Sequence, residues 1–307
     1  MVSDAFRYDP HFLLQRVAVS SIISVALLPQ LLPLNWHRDL RVSAHDSADY
    51  EGHGGPASHG GPAGRSAATA VVIDTLRFTS TAAVALASGA ASIRAVSDIE
   101  QARQLGRTLP ADSLLCGERE CRRIEGFDLG NSPSEVSSEV VRGRELVYST
   151  TNGTFAVDAA RPAHEIILGS LLNRSAVCQW LDRSSTEHAR VWCICSGTDG
   201  QIAMEDVLTA GAILHFLTNL DSRWQLGNDA ALLALASWRQ LDRTHQAEST
   251  SEVTKQLNAR LVQQLMLALG GRNLIEAGFS SDLPLVAQLD SLAVVPRQIE
   301  LGRFCVG

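Results

Sequence analysis

Five polar segments carry the side chains able to do chemistry: Asp74, Glu118, Thr150-Thr-Asn-Gly-Thr154, Ser170 and Ser196-Gly-Thr-Asp-Gly200. Their content suits an anionic oxygen ligand. Thr79, Ser80 and Thr81 open a predicted helix, so backbone N–H groups and hydroxyls can face an anion there. Thr151, Asn152, Gly153 and Thr154 offer the same arrangement, with Gly153 permitting close backbone approach. Ser196 to Thr198 supply a third set of donors. Arg77, three residues after Asp74, is the nearest fixed cation. Any one Ser/Thr cluster reads as ordinary helix capping; their convergence is what points to a site.

Acids supply the other half. Asp74, Glu118, Glu125, Asp128, Asp199, Glu205 and Asp206 lie in or beside these segments. Carboxylates next to an anion site repel the substrate unless a cation intervenes. Hard oxygen ligands without a His or Cys pattern point to Mg2+, held by one or two carboxylates plus water and phosphate. Asp128, Glu205 and Asp206 read equally well as acids stabilising helix N-termini. Cys116-Gly-Glu-Arg-Glu-Cys-Arg122 has the spacing of a cysteine-phosphatase loop, but Glu118 and Glu120 inside it would repel a phosphate dianion. No P-loop is present, and Asp74-Thr-Leu lacks the second acid of a dehalogenase-type phosphatase.

The elements that must position these groups are short apolar runs alternating with helices. Strands are predicted at Val25–Leu28, Ala70–Asp74, Ser92–Val96, Ser113–Cys116, Glu145–Ser149, Glu165–Leu168 and Arg190–Cys195, with a terminal pair at Leu292–Val295 and Ile299–Val306. Helices are predicted at Thr79–Ser88, from Asp98 to Thr108, from Thr154, from Asn173 to Leu181, and at Ala203–Leu220, Asn228–Leu241 and Glu252–Leu269. Gly117–Pro133 reads as a long loop ending in a Ser132-Pro133 helix start. This alternation implies an α/β fold, three-layer α/β/α with a mostly parallel or mixed sheet. Each polar segment follows directly on a strand. Ligands of parallel sheets bind beyond the carboxyl ends of the strands, so the segments are expected in one crevice.

The 307 residues, 45% of them apolar, can bury a large core. A net charge of −7 argues against nucleic acid as a partner. Lys255 is the only lysine, so a phosphate-binding cation will be Arg or a metal. The six scattered cysteines, with no CxxC, read as thiols in a reducing cytosol. The run from Val17 to Leu28 imitates the core of a signal peptide, but Asp4, Asp9, Pro29 and Pro33 argue against export. It is too short to span a bilayer. We therefore expect a cytoplasmic protein with no membrane partner, in which residues 1–23 extend a single domain over 24–307. The Gly-, His- and Pro-rich stretch 38–69 is read as a flexible insertion.

Several of these segments, read together, resemble the 2-phosphosulfolactate phosphatase (ComB) family. They are Val71-Val-Ile-Asp-Thr-Leu-Arg-Phe-Thr-Ser-Thr81, Gly117-Glu-Arg-Glu120, Ile124-Glu-Gly-Phe-Asp-Leu-Gly-Asn-Ser-Pro133 and Ser149-Thr-Thr-Asn-Gly-Thr154. Gly169-Ser170 with Asn173, Ser196-Gly-Thr-Asp-Gly through Glu205-Asp206, Gly271-Arg-Asn-Leu and Val294-Val-Pro296 extend the likeness over about residues 24–306. Thr75 and Phe78 depart from the Val and Ala of the pattern, and Phe78 is expected to reshape the pocket. The resemblance implies Mg2+-dependent hydrolysis of (R)-2-phospho-3-sulfolactate to sulfolactate and phosphate, a step toward coenzyme M in methanogens. On that reading Asp74 is a metal ligand or the nucleophile, and Glu205 and Asp206 complete the metal set. Glu118 and Asp206 are candidates for metal or water activation. Arg77, Ser80, Thr81, Thr151, Asn152, Gly153 and Ser196 hold the phosphate or sulfonate, and Asn131 and Ser132 orient the substrate. Two alternatives are a phosphatase for another small phosphorylated hydroxy acid and a non-catalytic sulfonate- or phosphate-binding protein on the same fold. A homo-oligomer is compatible with either.

Overall fold

The structure is a computed structural model that describes residues 20–37, 68–185, 189–242 and 251–307. The insertion at 38–69 falls outside these residues except for Ala68 and Thr69, which already belong to a strand. In chain order the first elements are β1 (Ser21–Ala26), β2 (Ala68–Ile73), α1 (Phe78–Ala87), β3 (Ser92–Ala95), α2 (Ile99–Thr108), β4 (Leu114–Arg119), β5 (Arg122–Arg123) and α3 (Ser138–Val141). Next come β6 (Glu145–Ser149), α4 (Gly153–Ala160), β7 (Glu165–Gly169), α5 (Arg174–Ser184), β8 (Arg190–Cys195), α6 (Met204–Leu220) and β9 (Trp224–Leu226). The remainder is α7 (Asp229–Leu241), α8 (Ser251–Leu267), α9 (Leu269–Glu276), α10 (Asp282–Val286), β10 (Pro296–Glu300) and β11 (Arg303–Val306).

Among the described residues the strands form one mixed sheet, in the order β5-β4-β6-β3-β11-β10-β7-β2-β8-β1-β9. Two parallel blocks, β4-β6-β3 and β7-β2-β8-β1-β9, flank the antiparallel β10–β11 hairpin. The hairpin pairs antiparallel with β3 on one side and β7 on the other. Three antiparallel steps therefore separate β3 from β7, and the two blocks run in opposite senses. The predicted Leu292–Val295 strand is a correction: the hairpin starts at Pro296. Pro296-Arg-Gln-Ile-Glu300 carries too few apolar residues to read as a strand, yet it is paired on both sides.

The parallel strands are apolar because both faces are covered. On β2, Val71 and Ile73 face α5, α6 and α7, while Ala70 and Val72 face the opposite side. That side holds α1 and α4, packed in one core with Ile93, Leu146 and Tyr148 of the other block and Ile166 and Leu168 of β7. The sheet thus coils around α1 and α4. α1 is buried at eight of its ten residues and is built from small side chains for that reason. By contrast only Ala102 of α2 is buried, and α2 covers the outer face of β4 and β6. Ser21–Ala26 of the signal-like apolar run form β1, which pairs with β8 and β9, so Ser21 to Ile23 belong to the sheet and not to an extension. Asn228 ties α7 to β1, capping Ala231 N–H and donating to the Val25 carbonyl.

Candidate active site

Asp74 directly follows β2 at the start of the turn into α1. Its backbone is clamped by Thr79, whose Oγ1 accepts from Asp74 N–H at 3.1 Å and donates to the Asp74 carbonyl at 2.9 Å. Phe78 N–H, the first of α1, donates to Asp74 Oδ1 at 3.3 Å. On the other side Gly153 opens α4 so close to the carboxylate that a Cβ there would stand 2.4 Å from Asp74 Oδ2. The close approach anticipated at Gly153 is thus made to Asp74.

Three more acids surround Asp74. Glu118 accepts from Thr151 N–H through Oε1 at 3.0 Å and from Cys121 N–H through Oε2 at 2.9 Å. It joins the β4–β5 turn to the loop after β6. Asp206 accepts from Thr75 N–H through Oδ1 at 2.8 Å, and from Ser196 Oγ and Gly197 N–H through Oδ2, both at 3.0 Å. Glu205 is almost fully buried, and its Oε2 has no partner among the described residues. Burial, then the charges of Asp206 and Glu118, push the Asp74 carboxyl well above the usual range. Burial and Asp206 raise Glu205 to about 7. Burial raises Asp206 to about 6 against its three donors.

Asp74 and Glu118 border one cavity of about 860 Å³, and Glu205 lies behind its wall against Gly270 and Thr198. Asp74, Arg77, Glu118, Asn131, Thr151 and Asn152 line it, as do Arg119, Glu120, Cys121, Arg122, Thr198 and Asp199 from two tight turns. Gly270, Asn273 and Glu276 of α9 complete the wall. The opposed blocks do not place all five polar segments at one sheet end. The coiling around α1 and α4 nonetheless carries the β4 and β6 loops to Asp74.

Several expected ligand contacts are used inside the protein instead. Ser80 Oγ donates to the Thr75 carbonyl and Thr81 Oγ1 to the Asn131 carbonyl, both fully buried. Ser196 holds Asp206, and Ser170 binds Asn173, neither on the cavity wall. Asn173 therefore does not cap α5; its carboxamide serves Ser170, Leu168 and Val294. Asp206, with both oxygens accepting from donors, is a buried brace for the Thr75 and Gly197 turns and is not on the cavity wall. A buried hydroxyl or carboxylate takes the nearest donor or acceptor because leaving it unpaired costs more.

Arg77 lines the cavity but is not free. It donates to Asp282 Oδ2 at 2.8 Å and to the Cys121 carbonyl at 3.0 Å, and lies over the Phe279 ring. Ser132 donates to Asp282 Oδ1 at 2.6 Å, so it anchors this ion pair, and it is not on the cavity wall. Asn131 is different: its side-chain oxygen is buried at the cavity with no partner among the described residues. Phe78 is also a correction. It is buried edge-on against Tyr148, packs against Gly153 and is not on the cavity wall. Asp282, Arg119, Arg122 and α9 escaped the sequence reading; Asp282 reads as an ordinary acid in the first turn of α10. Cys116 is buried, its thiol pushed up by burial, which removes it as a nucleophile.

A mixed α/β sheet with a cavity at its loops, lined by carboxylates and by three arginines, defines a densely charged site. The family model for 2-phosphosulpholactate phosphatase matches residues 59–300. A probable 2-phosphosulfolactate phosphatase of Synechococcus sp. (strain JA-3-3Ab) is 40% identical over 237 residues, covering 76% of this chain and 90% of the relative. Its counterpart in Prochlorococcus marinus (strain MIT 9303) is 38% identical over 247 residues, covering 80% and 94%. This chain belongs to the 2-phosphosulfolactate phosphatase family.

Proposed function

We propose that the chain is a phosphoric monoester hydrolase that converts 2-phosphosulfolactate and water to sulfolactate and phosphate, with Mg2+. The observation that carries the reading is the Asp74 carboxylate, fixed by Thr79, the α1 N-terminus and Gly153 at the wall of an acid-lined cavity. The donor set fits a hard cation: neither Asp74 Oδ2 nor the orphaned Glu205 Oε2 accepts a hydrogen bond from a described residue, and burial together with neighbouring acids raises both groups. Among the described residues no three His, Cys, Asp or Glu side chains form a cage. Asp74 and Glu205 would hold Mg2+ in the open manner usual for that ion, with water and phosphate filling the remaining positions. Bound there, the ion would neutralise phosphoryl oxygens and polarise the phosphorus.

The chain's own groups do the rest. Asn131 lines the cavity, where its side-chain N–H groups would donate to the phosphate, and Glu118 fixes the Thr151 and Cys121 backbones beside it. All six cysteines are free, which suits a cytoplasmic enzyme, and no helix among the described residues is long and apolar enough to cross a membrane. We place the reaction among sulfolactate-forming steps such as those toward coenzyme M. The test is phosphate release with Mg2+ across 2-phosphosulfolactate, 2-phospholactate, phosphoglycolate and 2-phosphoglycerate. Highest kcat/KM on the first, abolished by chelation and restored by Mg2+, is expected. Turnover that survives full chelation would remove the metal from the scheme.

A further inference from the structure

We infer that Arg122 receives the sulfonate of the substrate and sets the preference of the site for a substrate that carries one; this rests on the phosphatase reading above. Three guanidiniums line the cavity. Arg77 is committed to Asp282 and the Cys121 carbonyl. Arg119 is committed to the Glu118, Ser149 and Ser97 carbonyls and to Ser149 Oγ. Arg122 is exposed and makes no hydrogen bond or ion pair with any described residue. It stands directly opposite Arg119 across the two-residue turn Glu120-Cys121, so the two side chains share one face of the ladder. Like charges in that position repel. Arg119 cannot swing away, because four hydrogen bonds hold it. An anion at Arg122 relieves the repulsion.

The chemistry of the substrate selects which anion. The carboxylate sits on the carbon that bears the phosphate ester and must stay beside the phosphate at the buried, Asp74 end. The sulfonate is one carbon further away and reaches toward the solvent edge, where Arg122 stands. A sulfonate is a very weak base that stays ionised and spreads its charge over three oxygens. A weakly hydrated, planar guanidinium matches it better than a buried neutral donor.

Arg122→Gln tests the assignment, with Arg122→Lys as the conservative variant. The ratio of kcat/KM for 2-phosphosulfolactate over 2-phospholactate should fall about 10- to 100-fold in the Gln variant, mostly through KM, with partial recovery in the Lys variant. Thermal unfolding of the Gln variant should be no lower than wild type, since Arg122 has no described protein partner to lose and its removal relieves the repulsion with Arg119. An unchanged ratio overturns the inference. If wild type releases no phosphate from either substrate, the phosphatase reading fails separately. Calorimetric titration with sulfolactate then judges Arg122 by itself: weaker binding to the Gln variant supports it, and equal binding rejects it.

Discussion

Gly153→Ala isolates the placement of Asp74 from its chemistry. The added Cβ would stand 2.4 Å from Asp74 Oδ2 and 2.7 Å from both Cβ and Cδ1 of Phe78. Ordinary contact begins at 3.4 Å, so the carboxylate and the α4 backbone must separate by 1.0 Å (3.4 − 2.4). Phe78 leaves no slack, being fully buried edge-on against Tyr148 at 5.7 Å. Overpacking of this kind costs about 1–3 kcal/mol of stability. A displacement of about 1 Å at a reacting group costs about 100-fold in rate. The variant should therefore fold, melt somewhat earlier, and lose about 100-fold in kcat with a smaller change in KM. Gly143→Ala is the control. Its φ is 74°, and a Cβ there meets nothing within 4 Å, so only backbone strain of about 1–2 kcal/mol is added. Phosphate release on 2-phosphosulfolactate and thermal unfolding read both variants. Wild-type kcat in Gly153→Ala, with a stability loss like that of Gly143→Ala, would show that turnover does not depend on where Gly153 sets Asp74.

Three further outcomes follow from the same geometry. Asp74→Asn should lower kcat by more than about 100-fold without loss of stability, because it removes a buried acid crowded by three others; near-normal turnover on steady-state assay sinks the assignment. Asp282→Ala leaves the Arg77 guanidinium buried without its partner and should cost about 3–5 kcal/mol in urea unfolding, whereas a surface pair would cost under about 1 kcal/mol. Asp74, Glu205 and Asp206 titrate higher in the folded protein than in the unfolded chain, so the native state holds more protons over that interval. Unfolding free energy of the Mg2+-free protein should accordingly fall as pH rises from about 4, the ordinary carboxylate range, to about 7. Glu205→Gln should flatten the slope in the upper part of this window, and an unchanged slope in pH-dependent melting would contradict the assignment.

How much of this was legible in the sequence differs by residue. The β2–Asp74–α1 unit was clear, because an apolar run ending in an acid and followed by small residues has few other readings. Gly153 was flagged for close approach, and only its partner was unknown. The hydroxyls of Ser80, Thr81, Ser132 and Ser196 misled for a common reason. Composition shows that a donor is present but not which acceptor lies nearest, and each found one inside the fold. Asp282 could not be linked to Arg77, 205 residues earlier, by any local pattern. The opposed sense of the two blocks was equally hidden, since a strand buried on both faces reads the same in either direction.

The β10–β11 hairpin follows every other described strand in the chain, yet it occupies the middle of the sheet. Arg303 pairs with Arg94, 209 positions earlier (303 − 94), and Arg297 with Ile167, 130 earlier (297 − 167). During synthesis both blocks must therefore wait with raw inner edges, β3 on one and β7 on the other, until residue 306 leaves the ribosome. Such edges are templates for pairing with other chains, and contacts this distant form slowly. The hairpin is the keystone of the arch: a chain cut short before Pro296 keeps every residue of the candidate site and presents two adhesive inner edges that the hairpin covers in the finished molecule.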